Sequence, residues 1–180
     1  MGPHTSTFEG DVRGALDAFR SIVQALRSSS RDAERRVGLS AAQLFALQQL
    51  AAMPGASVNE LAARTFTHQS SVSVVVQRLV ARRLVVKSSA PEDRRRVRLT
   101  VTDAGRALLR RSPEPVQDRL IAGIAALKPL DRRALVVSLG AVADTLAVRN
   151  GVPPMLFEDR SNGSNGHRRT KKRDARSVRL

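Results

Sequence analysis

Residues 61–102 read LAARTFTHQSSVSVVVQRLVARRLVVKSSAPEDRRRVRLTVT, and the succession of patterns within them decides the fold. Just upstream, Ser57-Val58-Asn59-Glu60 has the form of a capping box: the Ser hydroxyl accepts from the amide three residues on and the Glu reaches back to the Ser amide. Leu61, Ala62 and Thr65 then fall on one face of a short first helix. A second helix is expected from about Gln69 to Arg82, where Val72, Val75, Val76 and Leu79 recur at steps of three and four. That stripe faces a core. The opposite face carries Gln69, Ser70, Ser73 and Gln77, short polar groups near an N-terminal end whose amides and dipole favour a phosphate. From such a position they can reach base edges.

Leu84-Val85-Val86 and Val97-Arg98-Leu99-Thr100-Val101 are rich in β-branched residues and flank Ala90-Pro91-Glu92-Asp93-Arg94-Arg95-Arg96, so a hairpin with an arginine-bearing loop is the simplest pairing. Pro91 and Asp93 are turn formers. Helix, turn, helix, hairpin is the order of a winged helix-turn-helix. Between Arg78 and Arg98 there is a local excess of six positive charges. Duplex phosphates are the natural counter-surface, and an arginine at a wing tip suits the negative potential of a narrow minor groove. Asp93 is better placed to hold the loop than to touch DNA, since phosphate repels a carboxylate.

From Leu39 to Gly105 the chain resembles the MarR family of bacterial transcription regulators, and the outer helices extend the likeness to about residue 148. The matching residues are Leu61-Ala62, Ser70-Ser71-Val72-Ser73, Asp93-Arg94-Arg95 at the wing, and Val101-Thr102-Asp103-Ala104-Gly105 where the second strand meets the next helix. Three positions depart from the family pattern. Thr65-Phe66-Thr67 replaces an apolar-Gly-apolar turn, Val74 stands where a polar or basic side chain often helps read DNA, and Arg83 replaces a glycine.

The resemblance implies a mainly α fold with a small β-hairpin wing, built as a winged helix-turn-helix plus a helical dimerisation region. It implies a homodimer whose second motif helix enters the major groove while the wing reaches the adjacent minor groove. Gln69, Ser70, Ser71, Ser73, Gln77 and Arg78, with Arg94, Arg95 and Arg96 of the wing, are the expected DNA contacts. Ligands in such proteins lodge between the dimer helices and the DNA-reading unit, where Phe19, Arg20, Phe45 and Gln48 are candidates.

Composition sets the outer bounds. The chain has 180 residues and a formal charge of +15, enough length for one core and a charge that points to an anionic partner, with nucleic acid and an acidic membrane surface both fitting. Uncharged residues run from Gly38 to Asn59, but Gln43, Gln48, Gln49 and Pro54-Gly55 interrupt them, so no bilayer span is expected. Met1-Gly2-Pro3-His4-Thr5 has neither the basic nor the apolar region of a secretory signal, which points to a cytoplasmic protein. Absence of cysteine removes disulfides and Cys-based zinc sites. Within the resemblance it also excludes peroxide sensing through a thiol. With no Trp or Tyr, stacking on single-stranded bases is disfavoured, and duplex DNA is the better target.

In chain order, residues 1–7 are expected as a disordered leader and 8–149 as the MarR-like domain. Within it, 57–101 form the winged helix, and 8–36 and 102–148 the dimerisation helices. Val12, Leu16, Phe19, Val23 and Leu26 mark an amphipathic helix from about Glu9 to Ser28 or on to Arg36, whose start Gly10 and Gly14 weaken. Ser40 caps the next helix, which ends at Pro54-Gly55. Thr102 caps another, and Pro113 and Pro115 kink or break the chain near Ser112. Val116, Leu120, Ile121, Ile124 and Leu127 lie on one further helix, and Leu135, Leu139, Val142 and Leu146 on the last. Residues 150–180 read as a disordered basic tail, either a phosphate-grasping arm or a solvated segment.

No nucleophile–base–acid set, phosphate-cradling glycine loop or spaced carboxylate pair is present, and His68 has no second ligand beside it, so neither enzyme, cofactor nor metal is expected. The function expected is a sequence-specific DNA-binding regulator, which the resemblance implies to be a homodimeric repressor released by a small molecule. The rival is a constitutive, weakly specific DNA-coating protein with no effector. A peripheral membrane role lacks the bulky apolar residues it would need.

Overall fold

The elements run α1 (His4–Val37), α2 (Ala41–Ala52), α3 (Val58–Arg64), α4 (Gln69–Ala81), β1 (Val85–Ala90), β2 (Asp93–Val101), α5 (Asp103–Leu109), α6 (Val116–Ala126) and α7 (Pro129–Thr145). A computed structural model describes residues 4–90, 93–146 and 155–156, with the backbone alone at 4–6, 90 and 93–96.

The core is built around α2. Nine of its residues are buried, including Leu44, Phe45, Leu47 and Leu50, as befits a helix apolar on every side. It packs against α1, α3, α4, α5 and β2. Ser40 opens it with a full capping box to Gln43. Beyond Pro54, Gly55 adopts φ +82°, a left-handed conformation that lets the chain turn back on the sheet. The Gly55 amide donates to the Leu99 carbonyl at 3.0 Å, and the Leu99 amide to the Ala56 carbonyl at 2.9 Å. These two bonds sew the wing to the segment that leads into α3.

The capping box expected at Ser57 is present: the Ser57 amide donates to Glu60 Oε2 at 2.7 Å and the Glu60 amide to Ser57 Oγ at 3.3 Å. Leu61 and Ala62 are buried, as is Thr65 at the end of α3. On α4, Val72, Val75, Val76 and Leu79 are fully buried. Burying each contributes about 2 kcal/mol, so the rotation of α4 about its own axis is fixed by its inner stripe. At the base of the hairpin, the Thr102 hydroxyl donates to the Arg83 carbonyl and accepts from the Gly105 amide. A Cβ at Gly105 would lie 2.5 Å from Leu84 O and 2.7 Å from Val101 Cγ1, so only glycine fits there.

Several expectations require correction. Helix α1 starts at His4, inside the stretch expected as a leader. Gly10 and Gly14 cost about 1 kcal/mol each, yet do not interrupt a helix whose nucleation is already complete. The helix continues to Val37 and ends at Gly38, whose φ is +66°. Of the two outcomes expected at the prolines, kink or break, the break is the one found: α5 ends at Leu109 and α6 begins at Val116. Gln48 Nε2 holds the break by donating to the Pro113 carbonyl at 3.2 Å. Met155 falls within the segment expected not to fold, yet it is 5% exposed and belongs to the core. The basic run 167–176 lies outside the described residues.

Candidate nucleic-acid interface

Because the inner stripe of α4 is committed to the core, its outer face is determined. Gln69, Ser70 and Gln77 are exposed, Ser73 is half-buried, and Val74 between them is 40% exposed. Arg78 is half-buried near the C-terminal end. Ser71, expected among the DNA contacts, is buried, because it adjoins Val72 and lies one turn before Val75 on the core side. His68 occupies the N-cap with extended backbone and no side-chain capping bond.

The turn that presents α4 departs from glycine yet keeps a glycine-like backbone. Phe66 has φ +50° and Arg83, just after the helix, φ +59°. Left-handed backbone strains residues carrying a Cβ, by about 1–2 kcal/mol each. Surrounding hydrogen bonds hold both: the Thr67 amide donates to the Ala62 carbonyl and the Leu84 amide to the Leu79 carbonyl, each at 3.0 Å. The two departures from the family pattern therefore leave the path of the backbone intact.

β1 and β2 pair antiparallel from Val85 opposite Val101 to Ser89 opposite Val97. The register then slips. Asp93 rather than Arg96 stands opposite Ala90, so Arg94, Arg95 and Arg96 occupy the irregular stretch of β2. The sequence places them in a loop between short strands, but the backbone there is extended strand on the bulged side of the hairpin. Their side chains, and that of the wing residue Asp93, lie outside the described residues, as do Pro91 and Glu92.

Between α4 and the wing opens a cleft of about 590 Å³, lined by Ser57, Asn59 and Glu60 of the α3 start, Gln69 of α4, and Val97 and Arg98 of β2. Asn59, within the capping stretch, and Arg98, within the basic cluster, are not among the DNA contacts the sequence suggests. Nothing in local periodicity marks them; the Gly55–Leu99 pairing brings them beside Gln69. Arg98 lies over Gly55, its Nη1 3.6 Å from where a Cβ would stand.

The residues expected to hold a ligand do not come together. Phe45 lines an apolar cavity of about 370 Å³ bounded by α2, the α3–α4 turn and α6. Gln48 instead points to the α5–α6 break. Arg20 pairs with Asp17 at 2.6 Å on the exposed surface of α1, and Phe19 is 53% exposed beside it. Both positions result from α1 projecting most of its length beyond the core. Gln117 was not singled out from the sequence, yet it is buried in the wall of the cavity. A signal exists, since it precedes Leu120, Ile121 and Ile124 by three, four and seven residues and so shares their face.

Among the described residues no cluster of His, Cys, Asp or Glu is arranged to hold a metal, and no helix is long and apolar enough to cross a membrane.

Residues 37–96 match the model of the MarR family. The chain is 27% identical over 88 residues to the HTH-type transcriptional repressor MdtR of Bacillus subtilis, a stretch covering 49% of this chain and 57% of that protein. It thus spans little more than half of that relative's length. A putative transcriptional regulatory protein for the hcr operon of Thauera aromatica is 29% identical over 124 residues, 69% of this chain and 70% of the relative. The fold is that of a MarR family transcriptional regulator from Streptomyces coelicolor solved in complex with DNA, at a TM-score of 0.53 and 24% identity over 79% of this chain and 95% of that one. With the family match running from the end of α1 through α4 to the arginines of the wing, this third of the chain is similar to the MarR family, and the fold around it is the one that family's solved members share.

Proposed function

We propose that the protein is a homodimeric repressor that releases its operator when a small molecule binds. The observation that carries the DNA half of this reading is the outer face of α4, where Gln69, Ser70, Ser73, Val74 and Gln77 stand outside the core beside a cleft shared with the wing. Side chains of this length at a helix N-terminal end hydrogen-bond base edges in a major groove, and Val74 offers a methyl-sized contact to thymine. Arg94, Arg95 and Arg96, carried on the bulged strand, supply phosphate or minor-groove contacts next to it.

The dimer half is supported by uncovered apolar surface. Among the described residues of α7 none is buried, and Leu130, Val136, Val137 and Val142 are exposed, as are Val12, Leu16 and Phe19 on α1. A patch of that extent calls for a partner surface. A two-fold dimer would set two α4 helices about 34–36 Å apart on one face of the duplex. The cavity beside Phe45 lies between the DNA-reading unit and α6, where a ligand that prefers one spacing of the reading helices shifts operator affinity by its differential affinity for the two states.

The test is the ratio of affinity for the protein's own upstream DNA to that for random duplex at one salt concentration, with sedimentation of the same sample. A ratio of about 10³ or more on a dimer supports this reading. A ratio near one on either species would favour a DNA-coating protein instead.

A further inference from the structure

Helix α4 is closed by a pair of hydrogen bonds that turn the chain into the wing. The Arg83 amide donates to the Val80 carbonyl at 2.8 Å and the Leu84 amide to the Leu79 carbonyl at 3.0 Å, the two bonds of a Schellman ending. Such an ending needs one left-handed residue, and glycine takes that conformation without a Cβ penalty. Helix α1 accordingly ends on Gly38, at φ +66°. At the end of α4 the residue is Arg83, at φ +59°. Its carbonyl accepts from the Thr102 hydroxyl at 2.9 Å, so amide and carbonyl are both tied and the direction of its Cα–Cβ bond is fixed. The side chain is exposed and contributes nothing to the core. Strained backbone under a side chain that the core does not use points to a use for its head group.

Where that head group lies follows from α4. Gln69 and Gln77, at the two ends of the exposed face, stand about 12 Å apart along the helix axis, which is about the width of a B-DNA major groove. A helix laid with that face in the groove carries its exposed end, Ala81, Arg82 and Arg83, out over the flanking phosphates. Arg82 is engaged elsewhere, since its Nη1 donates to the Gly38 carbonyl that ends α1. We propose that Arg83 is a further DNA contact, gripping a backbone phosphate at the rim of the major groove, and that its left-handed backbone is kept for this purpose. The contact rests on reading the outer face of α4 as the DNA-facing one and is independent of any repressor or effector role.

The experiment measures the affinity of the full chain for a random-sequence duplex between 50 and 200 mM salt, and the Tm of the same samples. One phosphate contact adds about one unit to the salt slope, so the advantage of the native protein over Arg83→Gln should shrink about threefold across that range. Arg83→Gly should lose the same slope while its Tm rises, giving a more stable protein that binds less tightly, a pairing that no purely structural role produces. Arg83→Lys keeps a point charge at the same place and should bring the slope back. Arg13→Gln controls for overall charge. Arg13 is exposed and precedes Gly38 by about 25 residues, hence about 37 Å along α1, so that variant should keep the native slope.

A native slope in Arg83→Gln would overturn the proposal. If its Tm also falls, the guanidinium answers the dipole at the end of α4 instead, as a cation at a helix C-terminus does. An equal drop in Arg13→Gln would reduce the effect to net charge and overturn it as well. A native protein that binds no duplex would bring down the DNA reading together with this contact, whereas native slopes in the Arg83 variants of a protein that does bind bring down this contact alone.

Discussion

Arg64 on α3 donates its Nε proton to the Oε1 of Gln49 on α2 at 3.0 Å. Gln49, itself buried, passes the polarity on: its Nε2 donates to Asp118 Oδ1 on α6, also at 3.0 Å. A cation of the DNA-reading unit and a carboxylate of the outer helices are thus joined through one buried amide. Gln49→Leu removes both bonds and leaves the charges at either end without that amide, so it should cost about 2 kcal/mol of stability. A urea titration would show a lower midpoint with an unchanged slope. An unaltered midpoint would mean that water serves Arg64 and Asp118 equally well.

Gly105 makes the sharpest steric statement in the chain. A Cβ there would collide with a backbone carbonyl at 2.5 Å and a valine methyl at 2.7 Å, neither of which is the free end of a flexible side chain. Gly105→Ala should therefore destabilise by about 2 kcal/mol or shift the wing relative to α5. Thermal unfolding reads the first, and protease susceptibility at the hairpin reads the second. A protein unchanged in both would show that the junction can breathe by more than the packing suggests.

Arg83 offers a prediction of opposite sign. It holds φ +59° with an exposed side chain, so replacing it with glycine relieves backbone strain without opening a cavity. Arg83→Gly should raise stability by about 1 kcal/mol, the strain relieved being partly offset by the freedom glycine gains when unfolded. A fall in Tm would indicate that the guanidinium makes an interaction worth more than the strain.

Whatever is written in local pattern is legible in the sequence. The α4 boundaries are set by Val72, Val75, Val76 and Leu79, and the α2, α3 and α5 starts by Ser40, Ser57 and Thr102, because periodicity and capping act over a few residues. The strand character of Arg94–Arg96 is hidden because a register slip is set by the pairing of both strands, not by the residues that bulge. The cavity is hidden for a similar reason. Phe45, Phe66, Gln117 and Met155 come from four distant points of the chain, and Met155 sits in a stretch whose Pro, Gly and Asn content argues against any packing at all. Composition describes the average of a segment and is silent on the burial of a single residue such as Met155.

The two surfaces that meet DNA in the proposed reading should fail in different ways. Arg95 acts through charge, so Arg95→Ala should weaken binding to every duplex alike and flatten the dependence of log affinity on log salt by about one unit for each phosphate it no longer neutralises. Val74, central on the outer face of α4 and 40% exposed, carries no charge. Val74→Ala should leave the salt slope alone and relax discrimination at one base-pair position by about 1 kcal/mol, as expected when a thymine methyl loses its apolar neighbour. Titrating both variants against the operator and its single-position substitutions, at two or more salt concentrations, separates the effects. An Arg95→Ala slope equal to the native one would remove the wing from the interface. A change of slope on Val74→Ala would mean that α4 docks in a different rotation from the one its buried stripe dictates.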